Sequence, residues 1–443
     1  MFIHFNKTYF IIAGLLYTFF CYSSGEFFTL YVLNIFNFII YLYLIMRMYW
    51  QKKNFYSKRN LATIVFIYSV LMVIAYNLVS YKYSGDFFMF DTTDPTTYHR
   101  YSLAMASKSF TDGINYYLTF YKYDDLGPVL IASTLYRFIE SKFLLDFFYI
   151  IAGLFTALGL FRISAHFMIR KYAFICSLAY AISSYVIFYH ASGRKESFMC
   201  MLIVLFFDRY YLFMKGKNFS DLIVSIFFLA GLLLFRPALI LFCIISVALG
   251  LLLSLKKRRA GAILVILSFV ILIALYPLFK STYDRFLLGG DISRIQSAKE
   301  HNIPGSLRFI YIVNTLSQLV GPFTTISPDI KPRLTFLSAG MIYKILLSTL
   351  FWIGVYYIFK LQVSILYPLA FYTFLEMIGL MLVIDGMEVR KSMPHFPMIY
   401  IISFWLMDKY DLENIIKKKM TIMLMFNSSA VILFGLVFYW NLR

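Results

Sequence analysis

Apolar runs of about 20 residues recur along almost the whole of this 443-residue chain. About 20 apolar residues is the length of helix that crosses the hydrocarbon core of a bilayer. In that solvent a backbone must satisfy its own polar groups, which makes helices the elements for runs of this length. The residues agree: 61% are hydrophobic and only 14% charged, against roughly 25% charged in an ordinary soluble domain. The expected fold is all-α, a polytopic transmembrane helix bundle forming a single integral-membrane domain over 1–443. Cys21, Cys176, Cys200 and Cys243 all fall in apolar runs. They read as buried thiols, with neither a disulfide framework nor metal-ligand spacing.

The formal charge of +19 would suggest nucleic acid in a soluble protein. Here it fits the excess of Lys and Arg that collects in cytoplasmic loops, and no nucleic-acid partner is expected. The basic clusters orient the spans. The first run, 8–23, lacks a small-residue cleavage site and is expected as a retained helix. Lys52, Lys53, Lys58 and Arg59 follow a second run, 27–49, and place that loop inside. A third span, 61–80, then leads outward. Later spans are expected at 143–165, 172–190, 197–214, 221–235, 238–255, 260–279, 335–358, 363–384, 395–407 and 420–440, about 13 in all. The run 127–139 is too short to cross and suits a re-entrant or interfacial helix. Two large outer loops result, at about 81–142 and 280–334.

The first outer loop contains the long polar stretch of the chain, with Asp86, Asp91, Asp94, Tyr98, His99, Arg100, Asp124 and Asp125. Several cations also fall at outer span ends, against the general bias: Arg194, Lys195, Arg236, Arg390 and Lys391. Snorkelling to headgroups is one account of them. The other is a lipid phosphate or pyrophosphate, which the planar fork of Arg grips bidentately. Transfer of a sugar from such a carrier needs a base for the acceptor hydroxyl and positive charge on the departing phosphate. An Asp facing an Arg/Lys cluster supplies both. Asp94 is the first candidate base, with Asp91 or Asp125 assisting; Tyr98, His99 and Arg100 are candidate substrate contacts. Pro95 pushes Asp94 out of helical geometry, so its structural alternative is a helix N-cap. Asp124 and Asp125 could instead bind acceptor, hold a divalent cation or solvate a loop. Glu376 lies within a span, and Asp208 and Arg209 sit side by side at an inner end, where they read as structural.

The order of these features resembles the GT-C superfamily of integral-membrane glycosyltransferases over roughly 60–260. The resemblance rests on Asp94-Pro95-Thr96-Thr97-Tyr98, then Ser102 to Ala106, Gly127-Pro128-Val129-Leu130, Gly193-Arg194-Lys195-Glu196 and Arg236-Pro237. Two extra spans precede the acidic loop, and Asp-Pro stands where an acidic pair is common. The second half resembles bacterial repeat-unit polymerases of the O-antigen type, whose pattern of Arg, ten residues and Gly is met by Arg294 and Gly305. These resemblances imply a bacterial inner-membrane enzyme of surface-polysaccharide assembly. It would transfer a sugar or a repeat unit from an undecaprenyl-(pyro)phosphate carrier at the periplasmic face. Arg194, Lys195, Arg236 and Arg390 would hold phosphates, and Arg294 would steer the chain. The implied partners are the polyprenyl-linked glycan, membrane lipid and a chain-length regulator, with a divalent cation the one cofactor to consider. Single-sugar transfer onto a lipid-linked glycan and a lipid-linked oligosaccharide flippase are the alternatives.

Overall fold

The computed structural model describes residues 28–89, 94–120, 125–254, 263, 347–383 and 389–410. Among them every regular element is a helix, as the apolar runs require. The chain divides into two compact units: the first holds the described residues up to Pro237 together with Met407–Tyr410, the second those from Ala238 to Leu406. Each is taken by itself.

The first unit contains α1 (Phe28–Tyr49), α2 (Lys58–Ser84), α3 (Asp94–Ala106), α4 (Phe110–Phe120), α5 (Leu126–Tyr136), α6 (Lys142–Ser164), α7 (Arg170–Ala181), α8 (Ser184–Ser192), α9 (Glu196–Gly216) and α10 (Phe219–Gly231). Local chemistry sets several boundaries. Ser57 accepts from the Asn60 N–H and Ser141 from the Leu144 N–H, at 3.2 and 3.3 Å, so each caps an otherwise orphaned donor at a helix start. Helix α6 is central and packs on α2, α7, α8 and α9. Small residues allow the close approaches: a Cβ on Gly159 would stand 2.7 Å from Val204 Cγ1, and one on Gly153 would stand 2.1 Å from His190 Nε2. Glycine at a helix crossing brings two backbones together where no methyl fits.

The second unit contains α11 (Ala238–Leu253), α12 (Leu347–Lys360), α13 (Tyr367–Val383) and α14 (Phe396–Tyr410), the last up to Leu406. Helices α11 and α13 pair along their length. At their crossing Gly250 lies under the Pro368 ring, 2.7 Å from where its Cβ would stand.

Three of these helices are long and apolar enough to cross a membrane: α2, α6 and α9. Helices α7 and α8, bent by 45°, would together make a fourth. The expected number of about 13 is not supported. Several expected spans (8–23, 420–440 and, but for Ile263, 260–279) lie outside the described residues. Others form shorter apolar helices, such as Phe219–Leu234 and Ala238–Leu253. There Arg236-Pro237 interrupts one apolar stretch, because proline has no N–H to continue a helix and excludes the preceding residue from helical geometry. The run 172–190 is likewise divided, by a break at Ile182 and Ser183. The short run expected at 127–139 is α5, which is buried through most of its length against α3.

Candidate functional site

At one end of the first unit, four segments meet: the start of α3, the start of α5, the turn between α8 and α9, and the turn that follows α10. Asp94 opens α3 with Pro95 in its first turn, a position where proline's fixed φ is already helical and a carboxylate is favoured by the helix dipole. One and two turns later, Tyr98 and Ser102 are buried. The Ser102 hydroxyl donates to the carbonyls of Tyr98 and Val129, at 2.6 and 3.2 Å, which locks α3 against α5. Helix α5 in turn presses on the turn after α10, where a Cβ on Gly127 would lie 2.8 Å from the Leu234 carbonyl oxygen.

The cations are delivered by a glycine. Helix α8 ends at Gly193, whose φ of 70° is left-handed, a conformation that costs glycine little and other residues more. The chain reverses there, Arg194 and Lys195 form the turn, and α9 begins at Glu196. Arg194 Nη1 lies 4.0 Å from Asp94 Oδ2, the guanidinium 3% exposed and the carboxylate 40%. The Lys195 ammonium donates to Asp125 Oδ1 and, at 3.1 Å, to the Phe235 carbonyl. The Tyr98 hydroxyl donates to the same Asp125 oxygen at 3.0 Å. Asp125 precedes α5 but makes no capping bond to it, so its carboxylate serves the cluster rather than its own helix. Burial raises the Tyr98 pKa far above the ordinary phenol range, and Asp125, Asp94 and Glu196 raise it further. Tyr98 therefore stays protonated and acts as a hydrogen-bond donor.

The structure thus brings together Asp94, Asp125, Tyr98, Arg194 and Lys195, with the half-buried Arg236 one residue past the Phe235 carbonyl. His99 and Arg100 face elsewhere. His99 Nδ1 is 2.9 Å from the Tyr136 hydroxyl, and its ring lies 5.1 Å from Phe88. Arg100 is exposed over the ring of its neighbour Tyr101. Asp91, Asp124, Arg294 and Gly305 lie outside the described residues. Arg390 falls in the 3-10 stretch Val389–His395 of the second unit.

Sequence reasoning passed over several buried polar residues. Lys142 and Asp146 pair across one turn of α6, 8% and 2% exposed. Asn77 of α2 donates to the other Asp146 oxygen at 2.6 Å. Lys142 also donates to the Ala191 carbonyl at 2.7 Å, which ties this triad to the turn bearing Arg194 and Lys195. The signal was present as opposite charges four apart, Lys142 just before the run 143–165 and Asp146 inside it, a spacing that puts both on one helix face. His190 is buried as well, with Nδ1 2.9 Å from the Ser197 hydroxyl. Asp208 and Arg209 are each bonded elsewhere: Asp208 accepts from Arg162 at 2.8 Å, and Arg209 donates to Asp221 at 3.0 Å. In the second unit Glu376 lies 3.4 Å from His395 Nδ1, both fully buried.

Among the described residues no three His, Cys, Asp or Glu side chains converge closely enough to hold a metal ion. No protein-family model matches this sequence, and no curated protein matches it either.

His99 supplies a pH prediction. Burial lowers its pKa from the ordinary 6.5, Lys142 lowers it further, and Glu140 opposes both. A base whose folded pKa is depressed gives stability that is complete above its unfolded pKa and is lost as pH falls toward the folded value. Thermal stability is therefore expected to decline below about pH 6.5, and His99→Gln to flatten part of that slope. An unchanged slope in the variant would remove His99 as its source.

Proposed function

We propose that this chain is a bacterial inner-membrane, multi-pass glycosyltransferase of surface-polysaccharide assembly. It transfers an oligosaccharide repeat unit from an undecaprenyl-(pyro)phosphate carrier at the periplasmic face. The observation that carries this reading is the convergence of Asp94 with Arg194, and of Asp125 with Lys195, at one end of a helical unit. Lys52, Lys53, Lys58, Arg170, Lys171, Lys215 and Lys217 fall at the other ends of α2, α6 and α9 or in the connections there, the charge expected of a cytoplasmic face.

In this reading Asp94, the most open carboxylate of the pair, takes the proton of the acceptor hydroxyl. The hydroxyl oxygen then bonds to the anomeric carbon as the bond from that carbon to the phosphate oxygen breaks. The departing phosphate keeps the electron pair and is stabilised by Arg194, with Lys195 and Arg236 alongside. Asp125 and Tyr98 hold Lys195 in place. Donor phosphate competes with Asp94 for the Arg194 guanidinium, so donor binding frees the base it needs. Single-sugar transfer is the second reading. It is favoured by the fact that every member of this cluster comes from the stretch resembling GT-C transferases.

Transfer is distinguished from flipping by what accumulates when the protein is lost. Single lipid-linked units should collect at the outer face, open to an added periplasmic glycosidase. Units trapped inside would identify a flippase and end the transferase reading.

A further inference from the structure

The α3–α5 segment carries an apolar edge that faces outward. Phe138 and Ile139, in the turn between α5 and α6, are 80% and 60% exposed, and Phe110 at the start of α4 is 51% exposed. Arg137 holds the two turns side by side: its Nη2 donates to the Lys108 carbonyl at 3.0 Å, and its guanidinium lies over the Phe110 ring, 5.7 Å from the centroid. Lys108 and Arg137 are themselves exposed, so two cations flank the rings. Three residues past Ile139 begins α6, a helix long and apolar enough to cross a membrane. The exposed rings of Phe143 and Phe147 continue the apolar surface along it. On α4 the buried Gly113 and Tyr117 lie opposite the exposed, polar Asp112, Asn115 and Thr119. An apolar edge whose rim carries two exposed cations, Lys108 and Arg137, against one exposed carboxylate, Glu140, at the level where a crossing helix begins, matches a phospholipid headgroup layer better than water.

We propose that Phe110, Phe138 and Ile139 form an interfacial anchor in the headgroup layer of the bilayer that α6 crosses, with Lys108 and Arg137 against lipid phosphates. The rings would enter by about 5–10 Å, as amphipathic elements do. Through Arg137 and the α3–α5 packing, the anchor fixes the depth of Asp94 relative to the membrane. The proposal needs α6 to cross a membrane; it does not need sugar transfer, and its test does not measure transfer.

The test uses the full chain in vesicles of phosphatidylcholine with a minority of phosphatidylglycerol. Phe138→Cys and, as a water-facing control, Asn115→Cys are each labelled with an environment-sensitive fluorophore. The unsubstituted protein serves as the blank for its own cysteines. Nitroxide-bearing lipid should quench the label at 138 at least about twofold more than the label at 115, with aqueous iodide showing the reverse order. Equal iodide quenching at both positions would overturn the anchor. So would protection of 138 from both quenchers that vanishes on dilution of the protein in lipid, since a second copy would then be the cover.

Discussion

Replacing Asp94 by Asn is expected to abolish polymer while leaving the protein folded and inserted. On the proposed transferase reading the amide keeps the shape of the carboxylate but cannot take the acceptor's proton, and losing a general base costs typically about 10²–10⁴-fold in rate. The fold should tolerate it. The Asp94 carboxylate is 40% exposed and stands 4.0 Å from Arg194, and an Asn amide at the same place still offers its oxygen to the 3% exposed guanidinium. The measurement is glycan chain length on the cell surface beside the amount of protein in the membrane fraction. Wild-type chain length at normal protein level would remove Asp94 from the mechanism. Asp94→Glu should recover part of the activity, because it restores the base at a displaced position.

The largest loss of stability is expected for Asp146→Ala. The substitution leaves the Lys142 ammonium, 8% exposed, with the Ala191 carbonyl, and takes from Asn77 its acceptor. Removing one member of a buried pair costs about 3–5 kcal/mol, because the remaining charge stays desolvated. Converting both members to apolar residues, Lys142→Met with Asp146→Leu, should return most of that loss. The double variant would still lack the Lys142 bond to Ala191. It is therefore expected to unfold near the wild-type temperature in detergent and yet to make less polymer, through a looser Arg194–Lys195 turn. A single variant as stable as wild type would show that the pair is not desolvated.

The members of the proposed site were legible from residue type. Asp94, Asp125, Tyr98, Arg194 and Lys195 stood out as polar groups at the margins of apolar runs, where their cost calls for a reason. Their pairing was not legible. Asp94 meets Arg194, whereas Asp125 takes Lys195 and Tyr98 together, and nothing local in the chain distinguishes that arrangement from its converse. Asp146 was lost inside the run 143–165 read as a span, with Lys142 just before it, since average hydropathy hides a single charge among twenty apolar residues. His190 lies near a span end in sequence, yet Gly153 opens room for its ring inside the bundle.

The sequence by itself determined that the described residues are helical, that α2, α6 and α9 reach membrane-crossing length, and that charge gathers at the helix ends. Those properties depend on the composition of each stretch and on its neighbours within a turn or two. Tertiary structure decided how many apolar runs make full-length helices and which acid faces which cation. Lys195 and Asp125 are 70 residues apart in the chain, and they meet because the left-handed turn at Gly193 and the close approach at Gly127 bring their helix ends together. Contacts of that kind are settled by packing across the bundle, which no local pattern of residues encodes.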